Sequence, residues 1–213
     1  MKDKKAECVD GIPAELLKGL GNKAMKELIN LSKEMYEKGE WSNDFTKAII
    51  LALQKKSNAI ECTDHCTLSL IPHASKIILK VLTKRLESKA ATYISRTQFG
   101  FRKGCGTREA IAVIRTLQER CLEHDQDAYV CYVDFEKAFD RVNWKILMVT
   151  LKNIGVDWKD RRMIRNLYKQ QRATVRVTDG ESELAKIGQG KSVTTTIFNI
   201  RGSNDDRSNG RYR

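Results

Sequence analysis

The sequence predicts an α+β protein, and two kinds of run predict it. Long stretches carry apolar residues at helical spacing among lysines and glutamates, which is the signature of amphipathic helices. Short, continuous apolar runs rich in Ile, Val or Tyr fit strands instead. With 213 residues, 41% hydrophobic and 31% charged, the chain is long enough to bury a real core.

The elements follow in order. Over residues 14–38, Leu16, Leu17, Leu20, Leu28, Leu31 and Met35 recur at roughly helical intervals, with a break expected near Gly19 and Gly21. Residues 48–53 form a short apolar run suited to a strand. Residues 75–91 return to helical periodicity through Ile77, Ile78, Val81, Leu82 and Leu86. Thr107 is placed to cap a helix with Ile111, Ile114, Leu117 and Cys121 on one face and Arg115, Glu119 and Arg120 turned outward. Residues 128–133 are apolar throughout and read as a strand covered on both faces, ending at Asp134. Helices are expected near 144–153 and 158–170, then a hairpin in which 173–178 and 183–187 flank Asp179-Gly180. From Gly202 onward the chain is polar and expected to be disordered.

Composition narrows the function. Lys and Arg total 39 against 27 Asp and Glu, a formal charge of +12, so the expected partners are polyanions, nucleic acid first. No apolar run approaches the roughly 18 residues that span a bilayer, and the start Met-Lys-Asp-Lys-Lys is too polar for a signal peptide. An intracellular protein, nuclear or cytoplasmic and not bound to membrane, is expected. The six cysteines show no disulfide framework, so free thiols are expected, with Cys131 a reduced core thiol. Cys62, His65, Cys66 and His73 have a spacing that fits no standard zinc finger.

Asp134 carries the chemistry. A carboxylate at the end of a buried strand can be held rigidly at the rim of a sheet, where a hard oxygen donor suits Mg²⁺ and phosphoryl transfer. By itself it reads more readily as a strand-terminal hydrogen-bond acceptor than as a metal ligand. Its surroundings decide. Tyr132-Val133-Asp134-Phe135-Glu136-Lys137-Ala138-Phe139-Asp140 resembles the first catalytic motif of non-LTR (LINE-type) retrotransposon reverse transcriptases. Asp10-Gly11-Ile12-Pro13-Ala14-Glu15-Leu16-Leu17 resembles the segment that opens the fingers of those enzymes. Leu68-Ser69-Leu70 with Ala74-Ser75-Lys76-Ile77 resembles a later finger segment, and Gln98-Phe99-Gly100-Phe101-Arg102 with Gly106-Thr107-Arg108 the template-contacting one. Leu167-Tyr168, Gln171, Val175-Arg176, Gln189-Gly190 and Phe198-Asn199-Ile200 resemble the stretch that enters the next palm motif. The matches run in the family's order over nearly the whole chain to Ile200.

The resemblance implies an RNA-directed DNA polymerase fold: mainly helical fingers over 1–127, the start of a β-sheet palm over 128–200, and a polar tail over 201–213. It implies that Asp134 is the catalytic residue and binds Mg²⁺, and that Phe135, Phe139, Gln189 and Gly190 line the nucleotide pocket. Phe139 would exclude a ribose 2′-OH by bulk. Arg102 and Arg108 would hold template phosphates. The implied partners are an RNA template, a DNA primer and deoxynucleoside triphosphates.

Several positions depart from the family pattern. Asp64-His65-Cys66 replaces Asn-Tyr-Arg, removing an arginine expected to grip the triphosphate; Gln54 replaces a proline, and Cys105 a basic residue. Gly188-Gln189-Gly190-Lys191 and Thr194-Thr195 replace Arg-Gln-Gly-Cys and Ser-Pro. After Ile200 no palm hairpin with an aromatic-Ala-Asp-Asp motif and no thumb follows, and Asp205-Asp206 sit in too polar a run to replace it. The expectation is an incomplete right-hand polymerase, inactive alone. The alternatives are a non-enzymatic RNA- or DNA-binding remnant and a functionless translated pseudogene product.

Overall fold

A computed structural model describes residues 10–58, 61, 64–135, 138–139, 141–177 and 180–187. The expected polar tail, and with it Gln189 and Gly190, lies outside the described residues.

The first helical region divides where its glycines stand: α1 spans Ala14–Lys18 and α2 spans Asn22–Lys38. Gly39 ends α2 in the left-handed conformation, φ 69°, and its N–H returns to the carbonyl of Met35. A four-residue α3, Asn43–Thr46, leads into strand β1, Lys47–Gln54, which turns back as β2, His65–Leu70. Then come α4 (His73–Ala90), α5 (Thr107–Glu123), α6 (Trp144–Asn153) and α7 (Trp158–Gln170). The last strands are β3 (Arg172–Val177), β4 (Gly180–Glu181) and β5 (Ala185–Lys186).

One mixed sheet joins these strands in the order β2-β1-β3-β4, with β5 also on β3. β1 and β2 are antiparallel, with Ile49 opposite Leu70 and Gln54 opposite His65. β1 and β3 are parallel, with Lys47 opposite Arg172 and Leu51 opposite Arg176. A hairpin forms where one was expected, but Gly180, expected in its turn, pairs with Val177 in β4, and the expected return limb is strand only at Ala185–Lys186, β5. Because β1 comes from the expected fingers region and β3 from the expected palm region, a single sheet ties the two regions together.

The core lies where α2, α4 and α7 meet the buried end of this sheet. Met35, Trp41, Ala48, Leu79, Leu82, Met163, Ile164, Leu167 and Tyr168 form it, and Met163 is completely buried. α7 is strongly amphipathic: Met163, Ile164, Leu167 and Tyr168 face inward, while Arg165 and Lys169 face solvent. The buried indole N–H of Trp41 donates to the carbonyl of Met163 at 2.9 Å, fixing the chain after α2 against α7.

Two expectations are corrected. Residues 128–133 are not a covered strand. They pair with no described strand, and Tyr129, Tyr132 and Val133 are 93%, 82% and 71% exposed. Cys131 is accordingly an exposed thiol rather than a core one. An apolar, β-prone run becomes a strand only when a neighbour accepts its backbone hydrogen bonds. The second correction concerns the start of α5. Gly106, not Thr107, takes the capping position, and the Glu109 carboxylate accepts from the Gly106 N–H at 2.7 Å. The helix itself forms as expected, but its apolar face buries none of its residues.

Candidate nucleotide and nucleic-acid site

Asp134 stands at the end of the extended segment that follows α5. Its side chain is exposed, and no hydrogen bond or ion pair joins its carboxylate to another described residue. Neighbouring Phe135 is 74% exposed. Four residues on, Phe139 turns back and is half-buried, its ring meeting that of Phe101 edge-to-face with centroids 5.7 Å apart. That contact brings the Asp134 segment to the turn before α5, uniting two motifs that are far apart in sequence.

Phe101 itself is held at φ 58°, a left-handed conformation that costs a bulky residue about 1–2 kcal/mol. Beside it, Arg102 is committed to structure. One guanidinium nitrogen donates to the carbonyls of both Ser95 and Arg96, each at 3.3 Å, and so fixes the turn that presents Phe101. Arg108, by contrast, lies exposed in the first turn of α5, where a phosphate could reach it.

The altered finger segment has acquired a structural use. Asp64 pairs with Lys56 at 2.9 Å across the β1–β2 connection, and His65 Nδ1 lies 3.0 Å from the Glu61 carbonyl. Cys66, where the family pattern places its arginine, is a free exposed thiol opposite Leu53 in the ladder. A thiol lacks the guanidinium that the resemblance expects there to grip a triphosphate.

To a Mg²⁺ ion Asp134 would offer a single carboxylate, and among the described residues no group of three or more His, Cys, Asp or Glu gathers beside it. A full metal site is not built from the described residues.

Sequence reasoning missed two constellations. The first is a tie between helices: the buried Asp160 carboxylate accepts from the Tyr36 hydroxyl at 2.8 Å and from Arg85 at 2.9 Å. Burial first, and then the hydrogen bond to Asp160, push the Tyr36 phenol above its ordinary value. Three residues scattered over α2, α4 and α7 leave no local pattern to read. The second is a cleft between α6 and α7 lined by tryptophans and basic side chains. Its signal was visible, since Lys159, Arg161, Arg162, Arg165 and Lys169 crowd a single helix.

The described residues here present an exposed carboxylate at Asp134, the Phe139 ring five residues beyond it, and the exposed Arg108 on α5. Residues 53–201 match the family described as reverse transcriptase (RNA-dependent DNA polymerase), so this chain belongs to the reverse transcriptase family. Over 207 residues it is 23% identical to the RNA-directed DNA polymerase from mobile element jockey of Drosophila funebris, covering 94% of this chain and 22% of that protein. It is 21% identical over 188 residues to a putative 115 kDa protein in type-1 retrotransposable element R1DM of Drosophila melanogaster, covering 86% of this chain and 18% of that protein. The chain thus spans about a fifth of the length of these curated relatives. The likeness to a LINE-type reverse transcriptase domain, expected from the motifs, agrees with both.

Proposed function

We propose that this chain is the template- and nucleotide-facing segment of an RNA-directed DNA polymerase encoded by a non-LTR mobile element. The observation that carries the reading is that the family match at 53–201 contains both the Tyr132–Asp140 run and the Gln98–Arg108 turn, whose aromatic residues Phe139 and Phe101 are in contact. The fingers over 1–127 and the partial palm over 128–200 act together through the β1–β3 pairing.

In this reading Asp134 is one carboxylate of the catalytic centre, and Mg²⁺, when bound, would neutralise developing phosphate charge. Phe135 and Phe139 border the sugar of the incoming deoxynucleotide, and the Phe101 ring fixes Phe139 so that its bulk meets a ribose 2′-OH. Gln189 and Gly190 complete the nucleotide pocket. Arg108 contacts template phosphate, while Arg102 acts by holding the turn. The partners are RNA template, DNA primer and deoxynucleoside triphosphates, met inside the cell, in nucleus or cytoplasm. No helix among the described residues is long and apolar enough to cross a membrane.

A second reading is favoured by the formal charge of +12: a protein that binds RNA or DNA without extending a primer. Primer extension on an RNA template with the purified chain, Mg²⁺ and deoxynucleotides separates the two when run beside Asp134→Ala and a salt titration of template binding. The proposed function requires salt-steep template binding by the chain. Extension abolished by Asp134→Ala establishes the catalytic role and a completed carboxylate set. Binding without extension supports the second reading. No binding at low salt overturns both.

A further inference from the structure

Beyond the expected template segment, the α6–α7 pair carries a cleft of about 810 Å³ whose lining is aromatic and basic and includes no Asp or Glu. Trp144 at the start of α6 packs on Tyr168 of α7, centroids 4.8 Å apart and rings tilted by 37°. Trp158 opens α7 and is 54% exposed. Lys145, Arg165 and Lys169 are exposed and form no ion pair among the described residues. Arg162 lies over the Trp158 ring, its guanidinium carbon 4.8 Å from the centroid, and donates to the Glu37 carbonyl at 2.6 Å. Its Nε is buried without a hydrogen-bond partner. The one acidic residue of α7, Asp160, is turned away and engaged by Arg85 and Tyr36.

Each feature matters for what could bind. A structural helix pair balances its surface cations with carboxylates or spreads them into solvent. Here they converge on a concavity, so the local field is positive and focused. The exposed Trp158 indole at the rim is a poor partner for water but a good one for a flat heterocycle. Cations that track a backbone, interleaved with aromatic platforms, are the recognition chemistry of a single nucleic-acid strand.

We infer that the α6–α7 cleft is a second nucleic-acid site that binds a single strand, with Lys145, Arg165 and Lys169 on its phosphates and Trp158 stacking on a base. None of Asp134, Phe135, Phe139, Arg102 or Arg108 lines it, so it does not depend on the polymerase reading. Arg162 is the positioning residue: held by the Glu37 carbonyl, it fixes the Trp158 ring from beneath.

Fluorescence anisotropy with a fluorescein-labelled oligothymidylate of about 12 nucleotides tests this on the full chain. The Arg165→Glu/Lys169→Glu double variant is expected to weaken binding at least about ten-fold and to lower the log–log salt slope by roughly 0.7 for each phosphate that is no longer neutralised. Trp158→Ala is expected to weaken binding several-fold with an unchanged salt slope, because stacking releases no counterions. Oligonucleotide should quench tryptophan emission in the native chain and less in Trp158→Ala. Melting curves confirm that the exposed substitutions leave the fold intact. Unchanged affinity and slope in the double variant overturn the inference. A loss of binding in Arg108→Glu but not in the double variant places all binding on the expected template segment and overturns it too. Equal affinity for a duplex of the same length overturns the single-strand assignment.

Discussion

Arg85 on α4 donates to the carboxylate of Asp160 on α7 at 2.9 Å, and the two helices are joined there by a pair in which one member is buried and the other half in solvent. Asp160 has only 7% of its side chain exposed, against 50% for Arg85, so the carboxylate depends on protein donors and the guanidinium does not. Removing a donor should therefore cost more than the ion pair's surface partner would suggest. Asp160→Ala, which leaves Tyr36 and Arg85 without their acceptor, is expected to destabilise by about 1–3 kcal/mol. Arg85→Ala should fall in the lower half of that range, because Tyr36 still donates to the carboxylate. Urea denaturation of the two variants checks the order.

Tyr36 gives the same network a pH signature. Its folded phenol titrates above the ordinary value of 10.0, chiefly through burial and then through donation to Asp160. A group whose folded value is raised stabilises the fold while protonated, so the contribution is fully present below 10.0 and is lost as the pH rises through the higher folded value. The urea midpoint is expected to decline across this alkaline window, and Tyr36→Phe should flatten that part of the profile. An identical decline in the variant would assign the loss to other groups.

Gly39 is predicted to accept a side chain only at a cost. It closes α2 at φ 69°, and an added Cβ would overlap the guanidinium end of Arg162. Gly39→Ala should cost about 1–2 kcal/mol from the left-handed backbone alone. It should also displace Arg162 from Trp158, so that tryptophan emission changes even under conditions where the variant remains folded.

The helices differ in what substitution of an apolar residue should do. Met163→Ala on α7, at a fully buried position, is expected to cost about 2–5 kcal/mol. Leu117→Glu on α5, where the side chain is 56% exposed, should stay within about 0.5 kcal/mol. A large loss at Leu117 would mean that the apolar face of α5 is covered in the folded chain. Thermal melts of the two variants side by side decide it.

The sequence by itself determined the helices other than the four-residue α3, the β1 strand, a hairpin within 173–187 and the family. Helical periodicity is a local property, and the break between α1 and α2 at Gly19 and Gly21 follows from glycine's cost in a helix. Motif order likewise needs no coordinates. Tertiary structure alone decided whether a strand-like run became a strand. Residues 47–54 found partners on both sides in β2 and β3, while 128–133 found none among the described residues and remained exposed. It also decided which charges are available for binding. Arg102 and Arg108 look alike in sequence, but two backbone carbonyls hold Arg102, whereas Arg108 is left to solvent. The reason is the same in both cases: hydrogen-bond partners outside the helical and strand periods, whether β2 and β3 for β1 or the Ser95 and Arg96 carbonyls for Arg102, are set by how the chain packs, and no spacing rule encodes them.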